Sequence, residues 1–132
     1  MMNSYYMSRQ ITGQFDNVVD EVEQALSEEG FGVLTRIDVT ETLKKKLGVT
    51  YPDYVILGAC HPASAYQALE STKDIGLLLP CNVIVYEDAG KITISAIRPT
   101  IVMQMVANPE IAAVAQEVEE KLCRVMRQFD EK

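Results

Sequence analysis

A chain of 132 residues that is 48% hydrophobic has the length of one ordinary domain, and at that size roughly two thirds of the unfolded surface can be buried without a disulfide or metal staple. Its net charge of −7 repels phosphate backbones and anionic lipid headgroups, which argues against nucleic acid as a partner. No run of about 18 apolar residues occurs, which argues against a membrane-spanning helix.

The opening MMNSYYMSRQ lacks the basic head and apolar core of a signal peptide, so a soluble cytoplasmic protein is expected, with its three cysteines kept as free thiols. From Ser4 to Ile11 the pattern alternates, Tyr5, Met7 and Ile11 against Tyr6, Ser8 and Gln10, and predicts a half-buried strand. The period then changes. Phe15, Val18, Val19, Val22 and Leu26 recur at three and four residues among acidic neighbours, which predicts an amphipathic helix. Gly30, in a left-handed conformation, would end it and let Phe31 fold back on Leu26 in a Schellman motif.

Phe31 to Asp38 alternates again, with Phe31, Val33, Thr35 and Ile37 expected on one face. Thr40 is the expected cap of a short helix that turns Leu43 and Leu47 inward, carries Lys44 to Lys46 in its last turn and closes at Gly48. Tyr54 to Cys60 is a continuous apolar run, which predicts the central strand, covered on both faces. Pro62 suits the first turn of the next helix, with Ala65, Ala68 and Leu69 on its inner face. Cys81–Tyr86 and Lys91–Ile97, joined by Glu87 to Gly90, form a predicted hairpin. Residues 99 to 107 give no clear period. Asn108 and Pro109 start a long helix that carries Ile111, Val114, Ala115, Val118, Leu122, Val125 and Phe129 on one face. Collected, the order predicts a single α+β domain over 1–132: two layers, a mainly antiparallel sheet and helices mostly on one face. The other sheet face is too apolar for water, and a symmetric homodimer is the expected cover.

Reactive side chains concentrate between Gly58 and Asp88. Cys60 would lie beside the amino terminus of a helix, where the dipole favours a thiolate, with the only histidine, His61, next in the chain. Cys81 starts the following strand. Its thiol reaches Cys60 only if the two strands run antiparallel; a parallel pair would put them at opposite ends of the sheet. Asn82 should face away from Cys81. Two cysteines and a histidine are one ligand short of a closed zinc site, and no C-x-x-C anchors one. Met103 and Met105 are either soft ligands for a cuprous ion or core filling. No phosphate loop, nucleophile elbow or local Ser/His/Asp signature is present, and Cys123 has no assigned role.

The stretches ILGACHPASAYQAL and GLLLPCNVIVYE resemble the signature of the bacterial and archaeal domain-of-unknown-function family 302: a strand ending in Gly-Ala-Cys-Asn-Pro, an Ala-rich helix, and a Leu-Pro-Cys-Asn-Val strand. The likeness runs from the first amphipathic helix, through Glu29 to Gly32, to the final helix. It implies a compact α+β layer with a curved antiparallel sheet similar to TATA-binding-protein-like folds, commonly dimeric, with no implication of DNA binding. It carries over Gly58, Cys60, Pro62, Pro80, Cys81 and Asn82 as characteristic positions. The chain departs at His61, where Asn is usual and caps a helix better. The family brings no established activity. The leading expectation is therefore a dimeric, non-enzymatic module binding a small ligand or metal near Cys60, His61, Cys81 and Asn82. The alternative is a thiol redox enzyme or sensor using Cys60 and Cys81.

Overall fold

A computed structural model describes residues 4–130. The first three residues and the last two, which bear on the reading of the amino-terminal segment and on the outer bounds of the domain, lie outside the described residues. The sheet has five antiparallel strands, β1 (Tyr6–Ile11), β2 (Gly32–Asp38), β3 (Tyr54–Cys60), β4 (Cys81–Asp88) and β5 (Lys91–Ile97), in the order β1-β5-β4-β3-β2. The helices are α1 (Phe15–Glu28), α2 (Val39–Leu47), α3 (Pro62–Ser71), the single turn α4 (Pro99–Val102) and α5 (Pro109–Arg127). Helices α1 and α5 cover one sheet face, giving the two-layer α+β architecture.

Alternation decides which strand residues meet those helices. Val83 sits between Leu57 and Ala96, and Val85 between Val55 and Ile94; all six are at most 2% exposed. Val19, Val22 and Leu26 of α1 and Leu122, Val125 and Met126 of α5 close on them, each fully buried. Complete burial of a side chain of this kind contributes about 1.5–3 kcal/mol, so this layer is the main source of stability. A second, smaller cluster of Ala68, Ile75, Met103, Ile111 and Ala115 packs beneath α3.

The Schellman ending of α1 forms as expected. Gly30 has φ +86°, its N–H donates to Ser27 O at 3.0 Å, and the Phe31 N–H donates to Leu26 O at 3.0 Å. Asn108 caps α5, its side chain accepting from the N–H groups of Glu110 and Ile111.

Several expectations need correction. The central strand is β4, not β3, and β3 is covered on one face only: Tyr54 and Ile56 are half-buried on the other. An all-apolar run marks an interior strand, and here that strand has β2 and β4 beside it but no second layer of helices. In β2 the register shifts between Val33 and Thr35. Leu34 is the extra residue of a bulge, so Phe31 and Val33 point to the core while Thr35 and Ile37 lie on the other face. The cap of α2 is Asp38, which accepts from the Glu41 N–H at 2.9 Å, whereas Thr40 Oγ1 donates to Pro52 O at 2.7 Å. Leu47 is 69% exposed, so α2 buries only part of its expected stripe. On α3 the buried pair is Ser64 and Ala68, and Leu69 is exposed. Residues Pro99–Val102 and Met103–Val106 form two short helical turns, which is why they show no strand or long-helix period.

Candidate functional site

The antiparallel pairing of β3 and β4 sets Ala59 opposite Cys81. The last residue of one strand, Cys60, therefore stands next to the first residue of the other. Both cysteines line one space of about 30 Å³, together with His61, Ser64 and Met103, which is room for about one water molecule. All three cysteines are free. Cys81 is 8% exposed; burial, with a smaller contribution from Cys60, pushes its thiol up to about 11. A thiol so shielded stays protonated at neutral pH and is a poor nucleophile.

His61 occupies the cap position of α3 without a side-chain bond to the helix backbone. Its Nδ1 is hydrogen-bonded with the hydroxyl of buried Ser64 at 2.9 Å. The ring meets Phe31 edge to face, with centroids 5.5 Å apart. It also lies against Gly30, where an added Cβ would come within 3.2 Å of Nε2. The imidazole thus fastens the turn after α1 to the start of α3. Among the described residues no three of His, Cys, Asp and Glu converge as a metal-holding group. Met103 reaches the small space, whereas Met105 is 74% exposed.

Gly58 has a packing role. A Cβ there would overlap Thr35 Oγ1 and lie 2.9 Å from Pro80 Cγ. The glycine lets the Pro80 ring, which follows a cis peptide bond, and the β2 edge close over β3.

Asn82 turns away from the cysteines, as alternation requires, and faces the sheet surface that α1 and α5 leave uncovered. That surface holds the larger concavity, a groove of about 630 Å³ bordered by Tyr5, Tyr6, Tyr51, Tyr54, Tyr86 and Asn82. Five of the six tyrosines meet here. Tyr54 and Tyr86 are direct cross-strand partners, stacked with centroids 5.4 Å apart and planes 11° apart. Tyr51 tilts toward Tyr54 at 6.3 Å, and Tyr5 meets Tyr6 edge to face at 4.9 Å. Burial first, then the neighbouring phenols of Tyr51, Tyr86 and Tyr5, hold the Tyr54 hydroxyl above its ordinary pKa.

Sequence reasoning had placed the site around the cysteines and missed this groove. The usable signal was parity: Tyr54 and Tyr86 fall in phase with Gly58 and Asn82 on two interior strands, while Tyr5 immediately precedes β1 and Tyr51 lies three residues before the start of β3.

The arrangement defines a small α+β domain with one sheet face sealed by two helices and the other bearing a shallow aromatic groove. The chain belongs to the family described as Domain of unknown function DUF302, whose model matches residues 7–129. It is similar, at 28% identity, to the protein in the "Crystal structure of uncharacterized conserved protein DUF302 from Bacillus stearothermophilus"; the match covers 95% of this chain and 98% of that one, with a TM-score of 0.88. No curated protein matches. Among the described residues no helix is long and apolar enough to cross a membrane.

Proposed function

We propose that this protein is a non-enzymatic binding module whose ligand occupies the tyrosine groove on the uncovered sheet face. The observation that carries this reading is the convergence of five tyrosines and Asn82 on one concavity of about 630 Å³, a size typical of small-molecule sites. Tyrosine supplies rigid contact area and a polar tip at low entropic cost. The space at Cys60, His61 and Cys81 admits a single small ion and nothing larger, so organic ligands belong in the groove.

A second copy of the chain laid on the same face would roof the groove. The row Ser8, Ser95, Ile84, Ile56, Ile37 crosses all five strands without a charge, and such a face can self-associate although the chain carries −7 overall.

Tyrosine emission is unmasked here because the chain has no tryptophan, so groove occupancy can be read directly. Titration with a library of small planar compounds is expected to give saturable changes that the Tyr54→Ala, Tyr86→Ala double variant loses. Absence of any saturable compound, or hits unchanged in the variant, refutes the groove as a ligand site.

The pair Cys60 and Cys81 favours a second reading, a peroxide-responsive thiol sensor. Cys60 sulfur would attack hydrogen peroxide, forming a sulfenic acid and releasing water. The buried Cys81 thiol, once it gives up its proton, would then displace a second water to form the disulfide, and its raised pKa makes this the slow step. Intact-mass analysis after peroxide treatment tests it: a disulfide lost in Cys81→Ser supports the sensor, and unreacted thiols remove it.

A further inference from the structure

We infer that the ligand of the tyrosine groove is a small organic cation of the quaternary ammonium class. This inference rests on the groove being a binding site and adds its chemistry. Glu87 and Asp88 both line the groove, Asp88 in phase with Tyr86 on the groove face and Glu87 alternating with Val83 and Val85 toward the helices, and no Lys, Arg or His is among the lining residues. Lys91 is the cross-strand partner of Asp88 and shares its face at the hairpin end, although it is not among the lining residues. The charge of the whole chain, −7, has the same sign as the Asp88 carboxylate. An anion approaching the groove therefore meets the repulsion of the whole chain and a cation its attraction, with Asp88 at the groove and Lys91 at the hairpin end offsetting part of its charge.

The rings add a second attraction. Aromatic faces carry negative quadrupole density, and several rings at different inclinations surround a cation better than parallel ones do. Planes 11°, 55° and 65° apart in the Tyr54/Tyr86, Tyr51/Tyr54 and Tyr5/Tyr6 pairs supply that variety. A quaternary ammonium head suits such walls because it has no N–H group and so requires few directed acceptors. Exposed Asn82 is at hand to place a hydroxyl or carbonyl elsewhere on the molecule, while the buried Ser95 hydroxyl is bonded to that of Ser8 at 2.8 Å.

Choline and its uncharged carbon isostere 3,3-dimethylbutan-1-ol share one shape and differ in charge, so the pair isolates the inference. Tyrosine ring-proton shifts followed by NMR are expected to saturate with choline, with the isostere binding about tenfold more weakly. In the Asp88→Asn variant the choline affinity is expected to fall severalfold while that of the isostere holds, and added salt should reproduce part of that loss. Equal binding of the two compounds, or binding of planar neutral compounds but not choline, overturns the cation assignment and leaves the groove as a ligand site. No saturable response from any compound overturns both.

Discussion

At the scale of single residues, Gly58 and Cys81 carry the clearest consequences. Any side chain at Gly58 must displace Thr35 or Pro80. Gly58→Ala is expected to cost about 1–3 kcal/mol by overpacking, with part recovered in the Thr35→Ala background; urea denaturation of the four forms of the cycle measures both. Cys81 makes a pH prediction. Its folded thiol keeps the proton until about 11, against 9.0 when unperturbed. The unfolded chain therefore releases that proton first, and stability falls as pH rises from near 9 toward 11, by up to about 3 kcal/mol. Below pH 9 the group contributes no slope. Denaturation midpoints between pH 8 and 11 should show the decline, and Cys81→Ala should remove the part that begins near 9. Tyr54, also raised, acts in the same direction at higher pH. That Cys60 and Cys81 meet was a condition the sequence left open, since it turned on strand direction. The family resemblance supported the antiparallel outcome, and the pairing of Ala59 with Cys81 realises it.

At the scale of elements, the segment from Arg98 to Val106 shows where pattern reading stops. Its two short turns bury Pro99 and Met103 and have no period to detect. They are held by polar contacts to a distant helix. Glu119 of α5 accepts from the Thr100 N–H at 3.0 Å and from its hydroxyl at 2.6 Å, and pairs with Arg98 Nε at 3.1 Å, both charged side chains being 12% exposed. Removing one partner of a pair this enclosed leaves a charge in a poor solvent, so Glu119→Ala should cost about 3 kcal/mol. Glu119→Gln, which keeps an acceptor for Thr100, should cost less; thermal unfolding of the two variants gives the order.

The elements legible in advance were those whose signals are local. The Schellman turn at Gly30, the Asn108 cap and the stripes of α1 and α5 each depend on residues within a few positions. The Leu34 bulge and the rank of β3 in the sheet depend on neighbours chosen by tertiary packing, and no periodicity encodes them; the Asp38 cap is local, reaching only Glu41, but Thr40 two residues later is a competing cap type.

For the whole molecule, the asymmetry between the two sheet faces governs behaviour. One is filled by α1 and α5; the other carries the uncharged row from Ser8 to Ile37 and the tyrosines. A five-stranded face of six-residue strands spans roughly 24 by 20 Å, a footprint of about 480 Å², which is more than half of the ~800 Å² per partner of a standard interface. Light scattering at low micromolar concentration is expected to report twice the 14.7 kDa chain mass, and an Ile56→Lys variant is expected to return the monomer. Only 14.7 kDa particles in the unmodified protein would mean the groove is open to solvent.

The bulge in β2 bears on a different hazard. A border strand with regular hydrogen-bonding positions is a template onto which further chains can add, and β2 presents Leu34 at 67% and Ile37 at 47% exposure, greasy enough to invite such growth. The inserted residue breaks the spacing that an incoming strand would have to match, so backbone geometry disfavours fibrillar stacking along that border, and the exposed charges of Arg36 and Asp38 on the same strand act in the same sense.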